Sequence, residues 1–89
     1  MIKRAHILVS GRVQGVGFRC TVSSWAKSLE LDGWVSNRPD GGVEIMAQGA
    51  LEAVQSLIQK IKSGSPGRVS NCSVEFEKPE EGFFGFEIK

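Results

Sequence analysis

Residues 7–29 read ILVSGRVQGVGFRCTVSSWAKSL, and the spacing of the apolar side chains changes within this stretch. The segment Ile2–Ser10 ends in an apolar run before a glycine, which is typical of a strand. Beyond Gly17 the apolar side chains recur at helical spacing, as in an amphipathic helix that packs on a sheet. They are Phe18, Val22, Trp25, Ala26 and Leu29. The stretch therefore predicts a strand joined to a helix by the glycine-containing loop Gly11–Gly17.

A β-hairpin is predicted next along the chain. Trp34–Asn37 is short and carries an aromatic and a β-branched residue, as strands commonly do. Residues 38–42 read RPDGG, in which proline and glycine supply the dihedral angles of a tight reversal. Val43, Ile45 and Ala47 recur at every second position, which predicts a half-buried third strand. These two strands are expected to pair through the turn.

The last part of the chain predicts a second helix and two more strands. Apolar side chains return to helical spacing over residues 51–61, and Gly64 followed by Pro66 predicts the end of that helix. Residues 72–77 alternate between apolar and polar side chains, which predicts a fourth strand. Phe84, Phe86 and Ile88 predict a short fifth strand.

This order of elements, strand, helix, strand, strand, helix, strand, favours a single α+β domain over residues 1–89. It suits the split-βαβ arrangement (βαββαβ), with two helices on one face of an antiparallel sheet and a short extra C-terminal strand. In that topology the third strand lies between the first and the second. The first and second strands therefore run parallel to each other. Their C-terminal ends emerge at one edge, about 10 Å apart at roughly 4.8 Å per strand spacing. Asn37 is therefore expected to face the loop Gly11–Gly17.

The composition excludes several classes of protein. The net charge is +1 over 89 residues, whereas binding to nucleic acid by bulk charge needs a clear surplus of Lys and Arg. No apolar run approaches the roughly 20 residues of a membrane span, and the start lacks the apolar region of a signal peptide. We expect a cytoplasmic monomer.

One histidine and two cysteines, Cys20 and Cys72, offer no metal site. Both thiols are expected to be free, with a disulfide between them as the open alternative.

The loop before the first helix is the candidate functional site. Glycine admits positive φ and the close approach of a ligand, so successive N–H groups can form an anion-binding nest. The N-terminus of the helix favours an anion at the same place, and an arginine on its first turn adds a forked donor for phosphate oxygens. The predicted phosphate-binding residues are Gln14, Gly15, Val16, Gly17, Phe18 and Arg19. A tight connection without function remains the alternative.

Other phosphate-binding motifs do not fit this loop. No Gly-Lys-Ser/Thr follows at the spacing of a Walker loop, and Cys20 stands where a dinucleotide fingerprint has its third glycine. A cysteine phosphatase is also excluded, because Cys20 follows Arg19 instead of preceding a loop that ends in the arginine. RNA-recognition domains share this order of elements, yet they stack bases on aromatic residues of the third strand. Val43–Ala47 carries none.

The segments GRVQGVGFR and LDGWVSNRPDGGVEIMAQG closely resemble the acylphosphatase family, and the likeness continues through PGRV to the terminal GFEIK. It implies a ferredoxin-like fold and hydrolysis of the carboxyl-phosphate bond of a small acyl phosphate, without a cofactor, to carboxylate and inorganic phosphate. By this resemblance Arg19 corresponds to the phosphate-binding arginine and Asn37 to the asparagine that orients the attacking water. Cys20 departs from the aromatic residue expected after that arginine.

The chemistry agrees with the resemblance. An acyl phosphate expels a carboxylate, a weak base that needs no general acid, whereas an alkyl phosphate expels an alkoxide and usually needs an acid or a metal. Positioning and charge stabilisation are then sufficient. The alternative is a noncatalytic module that binds phosphate or carbamoyl phosphate, because similar domains occur inside larger carbamoyl-transfer proteins.

Overall fold

The computed structural model describes residues 1–64, 66–82 and 84–89. It contains five strands and two helices, and their order confirms the predicted one. The elements are β1 (Ile2–Arg12), α1 (Phe18–Ser28), β2 (Asp32–Asn37), β3 (Val43–Ala50), α2 (Leu51–Gly64), β4 (Arg68–Glu77) and β5 (Phe86–Ile88). Neither described helix is long and apolar enough to cross a lipid bilayer.

The strands form a single sheet in the order β4-β1-β3-β2-β5. β3 pairs antiparallel with both β1 and β2, so β1 and β2 run in the same direction and end at the same edge, as the topology predicts. β4 pairs antiparallel with β1 on the other side. β5 runs parallel to β2, and this added strand makes the sheet mixed instead of purely antiparallel.

The core lies between the two helices and one face of the sheet. Phe18 and Val22 of α1 are fully buried, and so are Leu57 and Ile61 of α2. They pack against strand residues such as Ile45. Full burial of a side chain of this size contributes about 1.5–3 kcal/mol, and this burial fixes α1, and therefore the loop that precedes it, against the sheet. Trp25 and Leu29, at the other end of the predicted stripe, are only partly buried against the core.

Four strands extend further than the sequence pattern predicts: β1 ends at Arg12, β2 begins at Asp32, β3 ends at Ala50 and β4 begins at Arg68. β1 continues past Ser10 because the register with β4 shifts there, which brings Gly11 opposite Val69. Gly11 has a φ of 125°, and a Cβ atom at this position would overlap the main-chain oxygen of Arg68. Glycine is therefore what permits the close approach of the two strands up to the start of the loop.

The prediction that the fifth strand includes Phe84 is wrong. Phe84 is 88% exposed, and β5 begins only at Phe86. Between them Gly85 has a φ of 77°, which interrupts extended backbone. Gly85 is nevertheless anchored to the start of β2, because its N–H donates to Asp32 Oδ1 at 2.9 Å and its carbonyl accepts from the N–H of Gly33 at 2.9 Å.

Candidate active site

The loop between β1 and α1 has the backbone geometry of an anion-binding nest. Gly15 and Gly17 have φ angles of 75° and 78°, and the residue between them has negative φ. Such alternation of left-handed and right-handed conformations turns successive N–H groups toward one side of the loop. A Cβ atom at either glycine would meet nothing within 4 Å, so positive φ, and not lack of space, is the reason for glycine here.

The start of α1 leaves N–H groups available at the same place. Gly17 is the N-cap residue, and no side chain of residues 1–64, 66–82 or 84–89 caps the helix. The hydrogen bond that joins the helix to its N-cap residue is donated by the N–H of Thr21 to the carbonyl of Gly17, at 3.1 Å. Among the described residues, no protein acceptor meets the main-chain N–H groups of residues 15–20. Together with the positive end of the helix dipole, these donors favour an anion.

Arg19 lies on the first turn of α1 and is half-buried. Its Nη1 donates to the main-chain oxygen of Lys89 at 2.8 Å. Lys89 is itself held at the edge of the sheet, because its N–H donates to Val35 at 2.8 Å and its Nζ lies 4.9 Å from the ring centre of Trp34. One arm of the guanidinium is thereby fixed, and its remaining donors have no partner among the described residues and are available to a ligand.

Asn37 is the last residue of β2 and is exposed. It lies on the helix-covered face of the sheet, since Val35, two positions earlier, is fully buried in the core. Within the described part of the chain, the side-chain amide of Asn37 has no hydrogen-bond partner in the protein. A neutral amide with both its donor and its acceptor available is suited to orient a water molecule.

These elements meet around a cavity of about 110 Å³. None of its lining residues is acidic, so no negative charge in the lining opposes an anion. The cavity is lined by Val13, Gly15, Gly17, Phe18, Arg19, Cys20, Asn37 and Ile88. The strand order thus brings Arg19 and Asn37 to one place, although they are 18 positions apart in the sequence.

Gln14 and Val16, the other two predicted phosphate-binding residues, do not line this cavity. Val16 is 37% exposed. The side chain of Gln14 turns instead to the loop that follows Asn37, where its Nε2 donates to the carbonyls of Arg38 at 2.8 Å and of Gly42 at 2.9 Å. The sequence gives no signal for this contact, because the partners are 24 and 28 residues away.

The family model for acylphosphatase matches residues 5–88. This chain belongs to the acylphosphatase family. Over 87 residues it is 46% identical to an acylphosphatase of Trichormus variabilis, covering 97% of this chain and 85% of that protein. The crystal structure of an acylphosphatase from Bacillus subtilis has a TM-score of 0.93 at 46% identity, with 100% of this chain and 99% of that chain covered.

Acylphosphatase-like domains also occur within longer chains. The crystal structure of full-length HypF in the phosphate- and nucleotide-bound form matches all of this chain, with a TM-score of 0.89 and 27% identity. The match covers 12% of that chain. The likeness to the acylphosphatases above is of a different kind, since it extends over most or all of both partners.

The two cysteines differ in their surroundings. Both are free thiols. Cys20 is exposed and lines the cavity beside Arg19, whereas Cys72 is partly buried in β4, where burial raises the pKa of its thiol. Within the described residues no cluster of three or more His, Cys, Asp or Glu side chains has the arrangement of a metal site.

A larger cavity, of about 340 Å³, lies on the opposite face of the sheet and is not part of this acylphosphatase-like site. Polar side chains such as Ser10, Asn71 and Ser73 line it, and it shares no lining residue with the smaller cavity. The helix N-terminus, Arg19 and Asn37 meet at the smaller cavity.

Proposed function

We propose that this chain hydrolyses the carboxyl-phosphate bond of small acyl phosphates to a carboxylate and inorganic phosphate. The observation that carries the proposal is the shared cavity of Gly15, Gly17, Arg19 and Asn37. It combines main-chain donors, a fixed positive charge and a free carboxamide, which are the three functions that this reaction needs. Full-length similarity to acylphosphatases supports the same activity.

In the proposed mechanism the main-chain N–H groups of residues 15–18 and the donors of Arg19 that Lys89 does not use hold the three phosphoryl oxygens. Charge on these oxygens is stabilised as the bond to the acyl oxygen breaks, and the bonding electrons leave with the carboxylate. A carboxylate is a stable anion at neutral pH, so no protonation of the leaving group is required. Arg19 therefore both binds the phosphoryl group and stabilises the charge that develops on its oxygens.

Asn37 acts on the nucleophile. Its carboxamide oxygen accepts a hydrogen bond from a water molecule placed opposite the departing acyl oxygen, so that attack on phosphorus proceeds in line. A carboxamide is not a base, and the proton lost by the water passes to a phosphoryl oxygen. The products are then the carboxylate and inorganic phosphate, with no group of the protein changed.

A hydrolysis assay tests this proposal directly. Acetyl phosphate and benzoyl phosphate are offered to the wild type in the presence of a chelator, with Arg19→Ala as the comparison. We expect turnover in the wild type and none detectable in Arg19→Ala, while circular dichroism and thermal unfolding show that the variant remains folded. Near-normal turnover by Arg19→Ala would refute the assignment of this residue.

Asn37→Ala should separate binding from catalysis. Removal of the carboxamide leaves the phosphate-binding groups in place, so inhibition by inorganic phosphate is expected to stay within about threefold of the wild type. The turnover number is expected to fall by about 10²-fold, the typical cost of a misplaced reactant. An Asn37→Ala variant whose KM rises while its kcat is unchanged would contradict this role.

Cys20 offers a direct measure of site occupancy. In a Cys72→Ser background it is the single thiol of the protein, and it lines the cavity. Inorganic phosphate is expected to slow its reaction with a thiol reagent, and Arg19→Ala is expected to abolish this protection. Protection without hydrolysis of any acyl phosphate would favour the alternative, a noncatalytic module that binds phosphate or carbamoyl phosphate.

We further propose that the protein acts in the cytoplasm as a monomer. Two free thiols, of which Cys20 is exposed, support a reducing compartment, because disulfides form and persist in oxidising ones. Sedimentation equilibrium tests the monomer, and a mass near twice 9.7 kDa would contradict it.

A further inference from the structure

Gln14 joins the two halves of the site. Its side chain starts in the phosphate loop and ends on the turn of residues 38–42, which directly follows Asn37. We infer that Gln14 is a positioning residue, which holds the Asn37 carboxamide in line with the phosphate loop and contributes to turnover without binding phosphate through its side chain. The inference rests on the proposed function.

Both contacts of Gln14 require its amide nitrogen. The partners are the carbonyl oxygens of Arg38, at 2.8 Å, and of Gly42, at 2.9 Å, and a carbonyl accepts but does not donate. The two protons of the amide group are therefore both used, one on each carbonyl. A side chain with this pair of bonds has a single orientation, so it fixes the distance between the loop and the turn.

The same two carbonyls close the turn. Gly42 O also accepts from the N–H of Arg38 at 2.8 Å, and Arg38 O also accepts from the N–H of Gly41 at 3.1 Å. The N–H of Gly42 donates to Asp40 Oδ1 at 2.9 Å. Gln14 thus binds the two carbonyls that also close the turn, so it both supports the closed turn and sets its position relative to the phosphate loop.

Asn37 needs such support because little else in the described chain fixes it from the loop side. It is exposed at the very end of β2, its Cα partner is Val43 of the neighbouring strand, and its carboxamide makes no bond to the protein. Its peptide bond to Arg38 connects it directly to a carbonyl that Gln14 holds. A shift of this carbonyl therefore moves Asn37 relative to Gly15 and Gly17.

A rival explanation is that Gln14 only stabilises the fold. The chain contains a suitable control, since Gln48 also bridges two main-chain groups: its Nε2 donates to Glu80 O at 2.7 Å and its Oε1 accepts from Glu80 N at 2.9 Å. Gln48 does not line the candidate site. Methionine has nearly the length of glutamine without its donors, so Gln14→Met and Gln48→Met remove comparable bonds with little loss of volume.

The expected results differ for the two variants. Gln14→Met should lower kcat for benzoyl phosphate by about 10- to 100-fold, the range expected for misalignment of about 1 Å. Its inhibition constant for inorganic phosphate should stay within about threefold of the wild type. Both variants should unfold at a lower denaturant concentration than the wild type, by a similar amount. Gln48→Met should do so with kcat unchanged. An equal loss of kcat in both variants, or a phosphate constant of Gln14→Met that rises as much as kcat falls, overturns the inference.

A double-mutant cycle tests whether Gln14 acts through Asn37. In an Asn37→Ala background the group to be positioned is gone, so Gln14→Met should lower kcat by less than about twofold, which is a strongly non-additive result. If Gln14→Met lowers kcat by the same factor in both backgrounds, Gln14 acts independently of Asn37 and the inference is wrong.

Hydrogen exchange separates this inference from the proposed function. Gln14→Met should accelerate exchange of the Arg38 and Gly41 N–H groups, and Gln48→Met should not. An inactive wild type with this exchange pattern would refute the proposed function while leaving Gln14 as the support of the turn. An active wild type in which Gln14→Met changes neither exchange nor kcat would refute the inference alone.

Discussion

Gly17→Ala tests whether the nest at the start of α1 depends on a left-handed residue. Gly17 has a φ of 78° and a ψ of 15°, and an added Cβ atom would meet nothing within 4 Å. The cost is therefore conformational and not steric, about 1–2 kcal/mol for a residue with a side chain in this region. In a domain of 89 residues each kcal/mol lowers Tm by about 4–8 °C.

Two controls bracket this magnitude. Gly82→Ala places the same strain, at a φ of 86° and in open space, away from the residues that line the site, so it should lose similar stability with unchanged phosphate binding. Gly33→Ala should be far more destabilising, because its Cβ atom would overlap the main-chain oxygen of Met46. The measurements are thermal unfolding and phosphate inhibition of benzoyl phosphate hydrolysis.

The result for Gly17→Ala has two admissible forms. If the backbone keeps its conformation, stability falls as calculated and phosphate inhibition is retained. If the backbone relaxes to negative φ, stability recovers, but the N–H groups turn away and phosphate inhibition weakens. A variant that is both as stable as the wild type and equally inhibited by phosphate would show that positive φ at this position is not required, and the reasoning would fail.

Three further substitutions test charge, acyl specificity and pH dependence. Arg19→Lys replaces a forked donor by a point charge, so kcat/KM for benzoyl phosphate should fall by about 10²- to 10³-fold, with unfolding unchanged. Ile88 is 46% exposed and lines the cavity, so Ile88→Ala removes apolar surface that a large acyl group can contact. The value of kcat/KM should therefore fall by about threefold to tenfold for benzoyl phosphate but not for the smaller acetyl phosphate. Below pH 4, the Tm of Asp40→Asn should fall less steeply with decreasing pH than the Tm of the wild type. The N–H of Gly42 and then Arg38 lower the pKa of Asp40 from 3.8, so this carboxylate contributes stability above that pH and loses it as the pH falls through its folded pKa.

The order of elements and the meeting of Arg19 with Asn37 were predictable from the sequence. Apolar side chains at every second position or at helical spacing distinguish strands from helices, and the resulting topology places the ends of β1 and β2 at one edge. The loop glycines were informative for a similar reason, because positive φ at Gly15 and Gly17 is a local property of the chain.

Contacts between distant segments were not predictable in this way. The bond from Arg19 to Lys89 spans 70 residues, and no local pattern marks a main-chain oxygen as the partner of a given side chain. The bonds of Gln14 have the same character. The strand ends also escaped, because Phe84 matches the apolar pattern of β5 while positive φ at Gly85 separates it from that strand.

Sensitivity to substitution in this site should therefore follow backbone geometry more than titratable groups. The cavity is lined by main chain, apolar side chains, one carboxamide, one thiol and one guanidinium, with no carboxylate or imidazole among them. An acyl phosphate supplies a leaving group that needs no acid, so alignment is the function left to the protein. That alignment depends on Gly17, which sets the direction of the N–H groups, and on Gln14, which sets the distance between the two halves. Both act without touching the reacting atoms through a side chain, which explains why the site can be chemically sparse and still specific in its geometry.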